Sequence, residues 1–288
     1  MKRLFTALAI ASAFLGGCAV DGSPHDETAG FDYLLRQSDN YGKVQEYELA
    51  TDYALKAIEV ADSKGNRQQR AEGLCLLAGI DLLTWRDEQA WSHALEAESI
   101  AREEHIDSTL AKALMQKGRV CAYGGITQAE TRDDEALEYF TEAMQLAEKS
   151  NVPRLKVDIF YHISQVYVNK NRFNDTNLNP QWYALAGEYL EKGERLALLH
   201  GFTDMRAKAL IYKMRYLRQG GRIKEGIKCC TDLLAICSEK DWLNKSQAYN
   251  QLVMLHALDG NTQEAAAMHQ QYVYCIEYYM QQKADSKL

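Results

Sequence analysis

Cysteine and histidine are the side chains of this chain best suited to nucleophilic, acid–base or metal chemistry, and it carries seven of each. Cys75, Cys121, Cys229, Cys230, Cys237 and Cys275 form no CxxC pair, so a zinc site is not expected. His25, His93, His105, His162, His200, His256 and His269 include no HExxH pair. No GxSxG elbow, phosphate-binding loop or GxGxxG turn is present. Acidic pairs such as Glu103-Glu104 and Asp133-Asp134 read as solvated helix surface, and no calcium loop is visible. The expectation is therefore no enzyme, no metal and no cofactor. Cys18 stands apart from the other six, because it directly follows an apolar run.

That run has the layout of an export signal. Lys2 and Arg3 precede an apolar segment from Leu4 to Leu15, too short to span a bilayer. It ends Leu15-Gly16-Gly17-Cys18, which resembles the lipobox of bacterial lipoproteins. The resemblance implies a signal peptide at 1–17 and a diacylglycerol on the Cys18 thiol. An ordinary export signal with a chance cysteine is the competing reading. Residues 18–29, rich in Asp, Gly, Ser and Pro, read as the lipidated cysteine and a flexible tether. Ala19 is not the aspartate that retains such proteins in the inner membrane of enteric bacteria. The expected location is the cell envelope, at the outer membrane, facing either the periplasm or the outside. No later apolar run reaches 18 residues, so the membrane is met through the lipid alone.

The rest is a folding chain. Apolar residues make up 47% and charged residues 25%, and three prolines leave room for long helices. A net charge of −7 disfavours nucleic-acid binding, which needs a basic face to displace counterions.

Periodicity carries the organisation. Small residues recur at Ala61, Ala101, Ala147, Ala197 and Cys237, with spacings of 40, 46, 50 and 40. Four residues further lie Gly65, His105, Asn151, Gly201 and Asp241. Such residues tolerate positive φ and close helix C-termini. A second small column runs through Ala50, Ala90, Ala136, Ala186, Gly226 and Ala266, where helices can approach closely. Pro153 and Pro180 suit helix starts. The repeat is helix, turn, helix, turn over about 40 residues, and such units bury their apolar faces only by stacking. Cys230 and Cys237 fall at small or apolar columns, which favours buried free thiols, although an exported chain could oxidise them.

Ala136, Phe140 and Ala143 carry the small–bulky–small pattern of a second repeat helix, and Ala50/Ala54/Ala57 and Ala90/Ala94/Ala97 follow it loosely. The region from Gly30 to Gln282 thus resembles the tetratricopeptide repeat family in its long-period variant. The first-helix signature of Trp, Leu, Gly and Tyr is absent, and its glycine column reads Ala78, Gly118, Ser164, Met214 and Met254. The resemblance implies an all-α, right-handed superhelical solenoid of about six antiparallel helix pairs over residues 30–288. It also implies a protein-interaction scaffold that binds a protein or peptide on a concave face lined by first helices. Alignment on the cap column places Lys112, Arg119, Tyr161, Gln165, Lys208, Arg215 and Arg218 there, a basic and aromatic strip suited to an acidic segment. An alternative is a ligand-binding accessory of an outer-membrane uptake system.

The two long spacings point to insertions inside adjacent units, near 123–131 and 170–182. They predict a loop edge that offers Tyr123, Phe173, Trp182 and Tyr183 to a partner. Gln270 and Glu277, polar at otherwise apolar columns, mark a terminal helix facing water.

Overall fold

A computed structural model describes residues 30–124, 132–172 and 178–285. Expectations that fall on Cys18, on the segments 1–17 and 18–29, and on Phe173 lie outside these residues.

Twelve helices are described, in six antiparallel pairs: α1 (Phe31–Lys43) with α2 (Tyr47–Ser63), α3 (Arg67–Leu83) with α4 (Asp87–Glu103), α5 (Asp107–Tyr123) with α6 (Asp133–Lys149), α7 (Pro153–Arg172) with α8 (Pro180–Leu199), α9 (Thr203–Gln219) with α10 (Ile223–Ile236), and α11 (Trp242–Leu258) with α12 (Thr262–Asp285). Each odd-numbered helix touches the next odd-numbered one, whereas even-numbered helices touch only their chain neighbours. The solenoid therefore has an inner layer of odd helices and an outer layer of even ones. No described helix is long and apolar enough to cross a membrane.

The period has a simple origin. Seven of the twelve described helices hold 17 residues, and a three-residue corner makes eight of the eleven junctions. Left-handed corner residues at 45, 65, 85 and 105 are thus 20 apart, half a unit. Each corner closes by the same two bonds: Asn66 N–H donates to Ala61 O (2.9 Å) and Gly65 N–H to Asp62 O (3.0 Å). The same pair recurs at Gln45, Trp85, His105, Asn151, Gly201, Gly221 and Gly260. Ala50, Ala54, Ala57 and Ala61 are fully buried, as are Ala90, Ala94, Ala97 and Ala101, so one narrow stripe of each outer helix seats both neighbours. Where the stripe carries a ring, the partner yields: a side chain on Gly118 would meet Phe140 at 2.7 Å.

Four of the five expected caps, Gly65, His105, Asn151 and Gly201, have positive φ. Asp241 does not. It is the N-cap of α11 at φ −81°, accepting a bond from Asn244 N–H at 3.3 Å. The cause lies upstream, where α10 stops after 14 residues at Ile236 and Cys237 turns extended. The last unit is consequently out of step with the aligned columns. Met254 is 37% exposed, and Leu252 enters the core beside Met214.

The extra residues of the third and fourth units do lie between inner and outer helices. Asn179 caps α8, accepting from Gln181 N–H (3.0 Å), and α7 and α8 each grow to 20 residues. On α12, Ala266, Gln270 and Glu277 are exposed, as suits a helix with no successor described against it. The six cysteines of the described residues are free thiols, five of them buried. Burial pushes Cys75, Cys229, Cys230 and Cys237 up to about 12, so they stay protonated and unreactive.

Candidate binding groove

The inner helices turn one stripe toward the groove at intervals of four, three and four residues. On α5 it is Lys112, Gln116, Arg119 and Tyr123; on α7, Asp158, His162, Gln165 and Asn169; on α9, Lys208, Tyr212, Arg215 and Gln219. Rows across the helices are tied by side chains. Lys208 pairs with Asp158, and one turn earlier Arg154 pairs with Asp204. His162 meets Tyr212 with ring centres 6.4 Å apart.

Two cavities open on this face. The first, about 510 Å³, is shared by α1, α3, α5 and α7. Its floor includes Leu35, Leu76, Met115 and Leu155, and its rim holds Arg36, Asp39, Glu72, Lys112, Arg154 and Asp158. Three of these charges are already answered within the chain: Asp39 by Lys43 at 2.7 Å, Arg154 by Asp204 and Asp158 by Lys208. The second, about 570 Å³, is lined by Arg215, Arg218, Gln165, Asn169, Gln219, Val168, Met254 and Leu258. Among the described residues no carboxylate lines it. The Gln165 amide donates to Asn169 Oδ1 (2.8 Å) and the Gln219 amide to Val168 O (2.9 Å), which fixes both side chains. The buried Oε1 of Gln219 has no donor.

An aromatic partition separates the cavities along α7. His162 is buried, stacks on Phe140 (5.8 Å, 12° between planes) and takes a 3.0 Å hydrogen bond between its Nδ1 and the Tyr123 hydroxyl. Burial, reinforced by Lys208 and Arg119, holds its pKa well below the ordinary histidine value. The imidazole is thus neutral and structural, and the Tyr123 hydroxyl, pushed up by burial, keeps its proton.

Most of the strip foreseen in the sequence falls on this stripe. Lys112 is on the first cavity, and Gln165, Arg215 and Arg218 are on the second. Lys208 sits in the ion pair between them. Arg119 donates to Gln116 Oε1 (2.7 Å), and its buried Nε has no acceptor. Tyr161 departs from the expectation. It is fully buried between α7, α8 and α9, where Gly193 leaves room for its ring, and the groove position belongs to His162 one residue later.

The foreseen loop edge also divides. Tyr123 points inward to His162. Tyr183 stacks on Tyr216 at 4.2 Å and serves the α8–α9 contact. Trp182 stays near the edge, with the Lys170 ammonium 5.3 Å from its ring centre. Arg36, Arg154, Asp158, Gln219 and Leu258 were not anticipated. The recurrence of the four–three–four stripe at the repeat spacing points to Arg154, Asp158 and Gln219.

No protein-family model and no curated protein matches the sequence. Solved structures do match. A Rap protein complexed with competence and sporulation factor superposes with a TM-score of 0.62 at 15% identity, over 88% of this chain and 65% of that one. The apo form of RapI gives 0.58 at 16% identity, over 89% and 86%. Aspartyl phosphate phosphatase F from Bacillus subtilis gives 0.57 at 19% identity, over 85% and 59%. This chain therefore spans under two thirds of the first and third of these proteins. At such identities the likeness establishes the fold: a tetratricopeptide-like helical-repeat solenoid.

Proposed function

We propose that this protein is a non-enzymatic interaction scaffold, held in the bacterial cell envelope by a lipid on Cys18, that takes an acidic segment of a protein or peptide partner into its groove. The observation that carries the reading is the second cavity. Arg215 and Arg218 line it with three amide side chains and three apolar ones, and no carboxylate is among the described residues of the lining. A carboxylate in the ligand would accept charge-assisted bonds from these guanidinium groups. The amides are placed for a backbone, and Val168, Met254 and Leu258 for an apolar neighbour. The Rap protein that shares the fold was solved as a complex with competence and sporulation factor, which lends support to partner binding by such a solenoid. The lipobox-like Leu15-Gly16-Gly17-Cys18 and the residue Ala19 support outer-membrane anchoring.

The reading is tested by affinity capture from detergent-solubilised membranes, with wild type beside the Arg119→Ala, Arg215→Ala and Arg218→Ala variants. One stoichiometric partner, lost in the variants, is expected. Equal capture by all four proteins discards the groove. For the anchor, Cys18→Ser should move the protein from the membrane to the soluble fraction, and unchanged fractionation refutes lipidation.

A further inference from the structure

We infer that the superhelix is clasped end to end by its last helix, and that this clasp regulates entry to the groove. The entry role rests on the groove reading above, whereas the clasp itself does not. Residues 235 apart in the chain meet here: the Tyr279 hydroxyl donates to Gln45 Oε1 at 2.7 Å and lies 3.4 Å from Val44 O.

Helix length makes the contact possible. The outer helices α2, α4 and α6 stop at 17 residues and α8 at 20, whereas α12 runs for 24. Counted from Thr262, a 17-residue helix would end at Tyr278, so Tyr279 is the first residue of the overshoot. The repeat itself has no use for that extension.

The other half of the clasp is also built against local preference. Gln45 has φ +61°; glycine fills two of the three corresponding described corners, at Gly221 and Gly260, and Trp85 the third. A side chain there is strained, since its Cβ crowds the backbone. The corner would close equally well with glycine. What glycine lacks is the amide that reaches Tyr279. Burial beside Tyr47 and Glu46 pushes the Tyr279 hydroxyl up to about 12, so it remains a donor across the physiological range.

Closure brings the first unit back over the groove. Leu35, Arg36 and Asp39 of α1 line the first cavity together with Val152 and with Arg154 and Leu155 of α7, three units away. While the ends are joined, α1 cannot swing from α7. A partner segment longer than the cavity enters by parting Tyr279 from Gln45, and the solenoid then closes behind it.

Small-angle X-ray scattering of the wild type, Tyr279→Phe, Gln45→Gly and a chain ending at Tyr278 tests the clasp without any ligand. All three variants should show a larger radius of gyration and longer maximum dimension, with unchanged helical circular dichroism. Gln45→Gly is the sharpest of them: it should open the solenoid and yet raise the melting temperature, because it relieves the corner. Scattering curves that superpose on wild type would overturn the clasp. Stopped-flow mixing with a fluorescent acidic peptide that the wild type binds then tests regulation: association at least threefold faster in Tyr279→Phe is expected, and an equal rate removes the gating role. Expanded scattering with no peptide binding by any form would instead refute the groove reading and leave the clasp standing.

Discussion

The two halves of the groove are built from the same stripe and have opposite electrostatic character. In the first cavity Asp39, Arg154 and Asp158 each have a partner within the chain, so the charges tie helices together. In the second, Arg215 and Arg218 share the lining with amides and apolar side chains, and no carboxylate is among its described residues. A paired charge has already settled its electrostatic cost. Neighbouring guanidinium groups among amides offer a ligand carboxylate charge-assisted bonds. On the proposed reading, the first half holds the solenoid's curvature and the second recognises something acidic.

The comparison breaks most severely at the partition. Phe140→Ala removes the fully buried ring beneath His162 and should cost about 3–5 kcal/mol, read by urea denaturation. Next comes the second cavity itself. The double variant Arg215→Ala/Arg218→Ala should weaken an acidic peptide by about tenfold or more, since each charge-assisted bond is worth about 1.5–3 kcal/mol. Titration calorimetry measures this. Arg154→Ala is the control on the other half: its pair with Asp204 is about half exposed, so it should change stability by about 1 kcal/mol or less and leave peptide affinity alone.

The partition also sets a pH dependence. His162 is neutral when folded and has the ordinary histidine value of about 6.5 when unfolded. Below that pH the unfolded chain gains a proton that the folded chain refuses. Stability is therefore flat above it and falls by about 1.4 kcal/mol per pH unit below it, until the folded imidazole also titrates. Melting curves of wild type and His162→Gln between pH 7 and pH 5 should diverge in slope accordingly. Smallest is Trp85→Gly. Trp85 sits at φ +63° with 70% of its surface exposed, and glycine there should stabilise by about 1 kcal/mol.

Legibility in the sequence followed the same division. The helical repeat could be read because its corners need residues that tolerate positive φ, and Gly65, His105, Asn151 and Gly201 display that need openly. Gln45 and Trp85 make the same corner with side chains that give no such sign, so two of the eight left-handed corners were hidden. The shortened α10 threw the last unit out of step, which is how Met254 was aligned where Leu252 packs. The cations of the groove were legible as a strip, since charge on an inner helix face recurs with the repeat. Tyr161 was misplaced because neighbouring aromatics on α7 differ by 100° of helix, and only the gap above Gly193 decides which one turns inward. The meeting of α12 with the first corner has no local signature at all.

The most direct test of the account is photocrosslinking in living cells, with a photoreactive residue placed at Arg215 in one strain and at the exposed outer position Leu55 in another. The account predicts one crosslinked protein from position 215, through an acidic stretch of that partner, and none from position 55. Crosslinks confined to position 55, or the same spread of proteins from both, would contradict it.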